Sequence, residues 1–467
     1  MRQYADDATI CALSTAPGMG AIAVIRVSGK DAISISNKVF SRNLLEATSH
    51  KAILGSITRD GVEIDEALTI VFKGPRSYTG EDVVEFNCHG STFIQQAVLD
   101  LLVSKGCRMA MPGEFSLRGF MKGKMDLTQA EAVADLIASE SAASHALAMN
   151  QMRGGFSKEI AKLREELINF ASLIELELDF SEEDVEFADR GQFEALIGKL
   201  LKMINTLIGS FKTGNVIKNG VPVAILGAPN RGKSTLLNSL LNEERAIVSS
   251  IAGTTRDTVE ETMVIEGVQF RFIDTAGIRN TSDEIESQGI ERAIAKAKKA
   301  SILCYLVEGD SAQEWTSELQ SIRAHIEDSN IPVILVLNKL DLISQWEDAQ
   351  MELDALVHQT DWVHSGLLIS ALQGQNIDAL KKEIYRQAEI NQESGNQAIV
   401  SNVRHLEALR SAKENLEAVL HGLQNGISGD FLAMDVRHSL HHLGEITGEI
   451  TTDDLLGNIF GKFCIGK

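Results

Sequence analysis

Gly227-Ala228-Pro229-Asn230-Arg231-Gly232-Lys233-Ser234 has the spacing GxxxxGK[ST]. It follows an apolar run over 221–226 and precedes Leu236, Leu237, Leu240 and Leu241, whose three- and four-residue spacing marks a helix. A glycine-rich turn between a strand and a helix is the setting in which this motif forms a phosphate loop. The glycines let backbone N–H groups turn toward phosphate oxygens, and the helix N-terminus adds its positive dipole. Lys233 is placed to reach the β- and γ-phosphates and the Ser234 hydroxyl to ligate Mg2+, with Thr235 next along the helix start. Arg231 is bulky and basic for such a loop, and the sequence assigns it no task.

Companion motifs follow in order. Asp274-Thr275-Ala276-Gly277 ends the strand-like run 268–273; Asp274 would hold a magnesium-bound water and the Gly277 N–H would sense the γ-phosphate. Asn338-Lys339-Leu340-Asp341 ends the run 331–337. A carboxylate at Asp341 accepts from guanine N1–H and the 2-amino group, a pair that adenine does not offer, so the base choice rests there. Ser370-Ala371-Leu372 ends the run 367–369 and would present a backbone N–H to guanine O6. Between the first two motifs lies Ser249-Ser250-Ile251-Ala252-Gly253-Thr254-Thr255, from which either Thr254 or Thr255 completes the Mg2+ shell in the triphosphate state. Many GTPases place a glutamine after DxxG to orient the attacking water. Here that position is Ile278, and Glu284, Glu286 and Glu291 downstream are the alternatives, each also readable as a solvated helix residue.

The strand-like runs 221–226, 262–265, 268–273, 302–307, 331–337 and 367–369 predict an α/β domain over 217–385 with a mostly parallel sheet and one hairpin at Gly267. Residues up to about 122 alternate short apolar runs, such as 21–27 and 68–72, with glycine turns, which predicts an α+β domain. Flanking zones 123–216 and 386–467 read as helices. Ile160, Leu163, Leu167, Phe170, Ile174 and Leu178 form one apolar stripe. Leu127, Ala130, Val133, Ala134 and Ile137 form a second, and Leu406, Leu409, Leu416, Leu420 and Leu423 and then Leu432, Val436, Leu440 and Leu443 form two more. Helical zones on both sides of the α/β zone suggest an inserted domain and one shared bundle. The acidic stretch 175–186 reads as a capping box at Ser181 and Asp184 with a solvated face, not a metal site.

Composition narrows the function classes. Against 44 Lys and Arg stand 65 Asp and Glu, a net charge of −21, which argues against coating nucleic acid through one large basic surface. No apolar run is long enough to span a bilayer, and no signal-peptide core follows the first residues. Five scattered cysteines without a CxxC pair fit a reducing cytoplasmic setting; Cys11, Cys88, Cys107 and Cys304 read as small core residues. His438, His441 and His442 read as bundle-surface or interface histidines, not metal ligands.

Further strings stand outside the nucleotide motifs: Arg26-Val27-Ser28-Gly29, Thr79-Gly80-Glu81-Asp82-Val83-Val84-Glu85 and His89-Gly90, Pro112-Gly113-Glu114-Phe115 and Gly123-Lys124-Met125-Asp126-Leu127-Thr128-Gln129-Ala130-Glu131-Ala132, Gly253-Thr254-Thr255-Arg256-Asp257, and Phe463-Cys464-Ile465-Gly466-Lys467. Through them the chain resembles the MnmE (TrmE) family of tRNA-modification GTPases almost end to end. The resemblance implies that 1–122 is a tetrahydrofolate-binding and dimerisation domain, that 123–216 and 386–467 form the helical domain, and that 217–385 is a Ras-like GTPase. It also implies a homodimer that works with the flavoprotein MnmG. Together they add an aminomethyl or carboxymethylaminomethyl group to C5 of the wobble uridine of certain tRNAs, with 5,10-methylene- or 5-formyl-tetrahydrofolate as the carbon source. Folate contacts carried over by matching motifs are Arg26, Glu85, Lys124 and Lys467. Potassium ligands carried over are Asn230, Ser249, Ile251 (through its carbonyl) and Thr254, and Mg2+ falls to Ser234 and Thr255. The water-positioning acid matches Glu286. Cys464 is either a nucleophile near the one-carbon donor or a structural tail contact. Departures are Arg231 where a small residue is expected, Ser249 where threonine is usual, and Leu372 where a polar residue is common. Two other readings share the motifs: a GTP-driven assembly switch, which needs no folate contacts, and a folate-dependent carrier with a vestigial GTPase.

Overall fold

The computed structural model describes residues 7–179, 190–242, 261–273, 298, 300–308, 312–326, 331–343, 345–388, 398–425 and 427–466. These fall into two units, Met1–Ile137 with Met149–Asn205 and Glu407–Lys467, and Ala138–Ala148 with Thr206–Leu406. The first unit draws on chain from both sides of the second, as an insertion requires.

In the first unit, strands β1 (Ile10–Leu13), β2 (Ile22–Ser28), β3 (Ala52–Arg59), β4 (Val62–Phe72), β5 (Val83–His89) and β6 (Arg108–Met109) form one sheet in the order β3-β4-β5-β2-β1-β6. All neighbours are antiparallel except β1 and β6. Alternation along β2 buries Ala23, Ile25 and Val27 against α1 (Ala32–Asn37) and α2 (Thr92–Ser104), whose Val98, Leu101 and Leu102 share that core. Helices α3 (Glu114–Met121), α4 (Leu127–Ala138) as far as Ile137, α6 (Gly155–Asp179), α7 (Arg190–Asn219) as far as residue 205, α12 (Val403–Gln424) from Glu407, α13 (Gly429–Thr447) and α14 (Asp453–Phe460) complete the unit. The stripe Ile160, Leu163, Leu167, Phe170 and Ile174 is buried along α6. Each such side chain contributes roughly 2 kcal/mol on burial, so packing, not helix propensity, holds this long helix.

The second expected stripe holds only at its start. Leu127 and Ala130 pack with Leu117, Leu456 and Phe460, whereas Ile137 is 50% exposed because the last turn of α4 runs past that cluster. Ser181 and Asp184 lie outside the described residues. His441 and His442 reach Glu445, and among the described residues no group of three or more His, Cys, Asp or Glu is arranged to hold a metal. Cys11, Cys88, Cys107 and Cys304 are buried and Cys464 is exposed. Among the described residues no helix is long and apolar enough to cross a membrane.

In the second unit, β7 (Val221–Gly227), β8 (Glu261–Ile265), β9 (Val268–Ile273), β10 (Ile302–Val307), β11 (Val333–Leu337) and β12 (Val363–Leu368) form a sheet in the order β12-β11-β10-β7-β9-β8. Five strands are parallel, and β8 joins β9 as the antiparallel hairpin through Gly267. Helices α8 (Lys233–Asn242), α9 (Ala312–Ile326), α10 (Trp346–Gln359) and α11 (Ile377–Gln387) accompany it, as does α5 (Ala142–Met152) as far as Ala148. Strands β10 and β11 are buried along their whole length, which is why they read as unbroken apolar runs. Strand β12 starts four residues earlier than its apolar signal. His364, Ser365 and Gly366 hide it in the sequence, and Gly366 sits so close to Leu353 of α10 that a Cβ would approach to 2.8 Å.

Candidate functional site

Parallel order puts the ends of β7, β10, β11 and β12 side by side, and each end carries candidate site residues. Gly227 closes β7 with φ 147°, and a Cβ there would fall 2.4 Å from the Leu306 carbonyl oxygen of the neighbouring strand. Asn230 and Gly232 also have positive φ, 62° and 89°, which turns the loop back on itself before α8 begins at Lys233. The Lys233 ammonium donates to the carbonyls of Gly227 and Ala228, each at 2.8 Å, so the lysine staples its own loop. Burial, and then the nearby Arg231 cation, hold the Lys233 amine below the usual lysine range. Ser234 and Thr235 are exposed at the helix start, where a hydroxyl can face an ion. Asn230 is exposed beside them.

The loops after β11 and β12 lock onto the loop after β7 through one side chain. Asn338 Nδ2 donates to the Arg231 carbonyl at 2.8 Å, and its Oδ1 accepts from the Ala371 N–H at 3.0 Å. A Cβ at Gly232 would fall 2.4 Å from Asn338 Nδ2, so only glycine leaves room for that tie. Ser370 Oγ donates to Asp341 Oδ1 and accepts from the Gln373 N–H at 3.1 Å. Leu372 is 75% exposed on the same loop. The three loops thus form one cradle with a carboxylate at Asp341, a lysine at Lys339 and a backbone N–H beside it.

Arg231 sends its guanidinium out of the loop to two carboxylates that sequence reasoning missed. Its Nη1 lies 2.9 Å from Glu308 Oε1, and its Nη2 donates to Glu318 of α9. Glu308 also pairs with Lys339. Burial works against these charges, but the pairing wins: Arg231 is held above its usual range by Glu318 and Glu308, and Glu308 below its own by Lys339 and Arg231. Glu308 could have been suspected, since a carboxylate directly follows a fully apolar strand. Glu318 carries no such signal.

Ser249, Ser250, Ile251, Ala252, Gly253, Thr254, Thr255, Asp274, Thr275, Ala276, Gly277, Glu284, Glu286, Glu291 and Lys467 lie outside the described residues.

The first unit brings together the other expected set. Arg26 and Glu85 are register partners on β2 and β5, and Arg26 Nε donates to Glu85 Oε1 at 2.8 Å. The guanidinium sits 5.1 Å from the Tyr78 ring centroid and 5.6 Å from that of Phe115, two aromatic neighbours not foreseen from sequence. The C-terminal tail reaches the same place: the Gly466 carbonyl accepts from Ser14 Oγ and Arg26 Nη1, and the Cys464 carbonyl from the Gly113 N–H. Phe115 is fully buried beneath the pair, whereas Arg26 and Glu85 stay partly exposed, so their charged edges can meet the hydrogen-bonding edge of a ligand. Lys124 donates to the Pro75 carbonyl at 2.9 Å and lies against Gly80.

Comparison with known proteins places these features in one lineage. A family model described as "GTP-binding protein TrmE N-terminus" matches residues 9–124, and one described as "MnmE helical domain" matches residues 127–464. The chain is 52% identical over 467 residues to a tRNA modification GTPase MnmE of Flavobacterium johnsoniae, covering 98% of this chain and 99% of that one. It is 52% identical over 470 residues to one of Christiangramia forsetii and 50% over 465 residues to one of Bacteroides fragilis, each covering 98% of this chain and 99% of the other. With two family models spanning nearly its whole length and half its residues shared with such relatives, the chain belongs to the MnmE (TrmE) family of tRNA modification GTPases.

Proposed function

We propose that this GTP hydrolase of tRNA modification is potassium-dependent and acts as a homodimer in the cytoplasm. With the flavoprotein MnmG it adds an aminomethyl or carboxymethylaminomethyl group to C5 of the wobble uridine of certain tRNAs, taking the carbon from a tetrahydrofolate derivative. The observation that carries the GTP half is the cradle in which Asn338 joins the Arg231 carbonyl to the Ala371 N–H. Within it, Lys233 faces the β- and γ-phosphates, Asp341 reads the guanine edge and a backbone N–H of the Ser370-Ala371-Leu372 motif meets O6. Ser234 with Thr255 would hold Mg2+, and Asn230 with Ser249, Ile251 and Thr254 would hold K+. The two cations supply charge neutralisation at the phosphates when bound. Glu286 positions the attacking water, a task that Ile278 cannot perform.

The folate half rests on Arg26 and Glu85 beside Tyr78 and Phe115, with the Gly466 carbonyl of the tail on Arg26; Lys124, Cys464 and Lys467 complete the set by resemblance to the family. In this reading residues 1–122, 123–216 with 386–467, and 217–385 are the three working domains. The test is GTP turnover by the full chain in matched potassium and sodium chloride. Strong stimulation by potassium is expected, with Glu286→Ala keeping GTP binding and losing most turnover. Equal slow rates in both salts would remove the potassium mechanism, and titration with 5-formyl-tetrahydrofolate tests the other half independently.

A further inference from the structure

Arg231 stands in the phosphate loop, yet its side chain leaves it. One guanidinium nitrogen lies 2.9 Å from Glu308 Oε1 and the other donates to Glu318. The second oxygen of Glu308 pairs with Lys339, the lysine of the base-reading loop. A single carboxylate therefore stands between a cation of one loop and a cation of the other. Its backbone is fixed too: the Glu308 carbonyl accepts from Nε1 of Trp315, which is fully buried, at 3.3 Å. Helix α9 thus grips Glu308 through Trp315 and Arg231 through Glu318. Lys339 has φ 66°, a left-handed conformation that a non-glycine residue holds only where its surroundings enforce it. All three side chains of the bridge are partly sheltered, Arg231 at 17% exposure, Glu308 at 26% and Lys339 at 36%, so their pairing is screened less than a surface ion pair.

We propose that Arg231 and Glu308 are positioning residues for nucleotide binding: Glu308 bridges Arg231 to Lys339 and holds the base-reading loop against the phosphate loop. The proposal rests on the reading of Asn338-Lys339-Leu340-Asp341 as the guanine-binding motif, and takes Lys339 as one of its nucleotide contacts. Its consequence runs against simple electrostatics. Deleting a negative charge next to a phosphate site should tighten an anionic ligand if charge alone mattered. Deleting a brace should loosen it, because Lys339 is then free to leave its left-handed conformation and two cations lose their common partner.

The experiment measures dissociation of fluorescent guanosine diphosphate from the full-length chain by stopped flow, with the thermal midpoint of each variant recorded. Glu308→Gln is expected to speed dissociation about tenfold, and Glu308→Asp, which keeps the charge, to recover most of that loss. Arg231→Ala is expected to weaken binding about fivefold in the wild-type background and less than twofold in a Lys339→Ala background, a coupling between two residues that act through Glu308. If Glu308→Gln fails to fold, Glu318→Gln loosens Arg231 from its far side and is expected to speed dissociation severalfold. Tighter binding by Glu308→Gln, or additive effects of Arg231→Ala and Lys339→Ala, would overturn the bridge while leaving the base-reading role of Lys339 intact. Wild-type binding by Lys339→Ala alone would overturn that role, and the bridge with it.

Discussion

The Arg26–Glu85 pair and the phosphate loop bring charged groups together by different means. Arg26 and Glu85 face each other because β2 and β5 are hydrogen-bonded in that register, so the sheet that holds the fold also holds the pair. The nucleotide cradle is made of loop ends, and no strand register fixes it. Lys233 holds it by side-chain hydrogen bonds within its own loop and Asn338 and Ser370 by side-chain hydrogen bonds to neighbouring loops, and Asn230, Gly232 and Lys339 all have positive φ. A site built into a sheet tolerates the loss of one contact at the loss of that contact. A site built from mutually tied loops loses geometry whenever one tie goes.

Lys233→Ala is the strongest challenge to that contrast. It removes both the phosphate charge and the staple across Gly227 and Ala228, so GTP turnover should fall about 10³-fold. A loss of only a few-fold would show that the loop keeps its shape without the staple.

The next effect falls in the first unit. Glu114 is almost fully buried and carries Arg108 and Arg118 on its carboxylate. Burial alone would raise its pKa, but the Arg108 bonds, the Met111 N–H and Arg118 hold it below the usual glutamate range. A depressed folded-state pKa means stability that is present above the ordinary glutamate range and is lost as pH falls from there through the lowered folded-state value. Glu114→Gln should cost about 3 kcal/mol in urea unfolding at pH 7, and the variant should lose less stability than the wild type on acidification. Equal acid sensitivity in both would assign the acid limb to other groups.

Arg26→Ala sharpens the sheet side of the comparison. Its charge-assisted bonds should be worth about tenfold or more in affinity for 5-formyl-tetrahydrofolate, read by titration calorimetry, while the sheet stays folded. Unfolding of this variant would make the pair structural.

The smallest effect belongs to Glu383 on α11. Its carboxyl is held at about 2, burial opposing, by Arg386, Ser365 and Gln387. Arg386 is 65% exposed, so solvent screens the pair and Glu383→Gln should cost only about 0.5 kcal/mol in thermal unfolding.

Much of the second unit was legible because its signals are local. A phosphate loop is eight consecutive residues whose glycines set the backbone, and it sits where an apolar strand meets an apolar helical stripe. The hairpin at Gly267 and the buried runs of β10 and β11 were readable for the same reason. β12 was read short because polar residues and Gly366 break its pattern while packing on α10 supplies the burial. The end of α4 was over-read because periodicity reports a face and not where its partner stops.

Residue types and short spacings thus settled the α/β and α+β character and the phosphate loop. Pairings across long chain separations were decided only by the fold. Arg231 and Glu318 are 87 residues apart, and Arg26 and Gly466 are 440 apart. No local propensity links them; parallel crossovers bring the first pair to one end of a sheet, and packing of the C-terminal helix and tail brings the second. Long-range proximity is a property of how elements pack, because only packing places distant charges where water can no longer screen them.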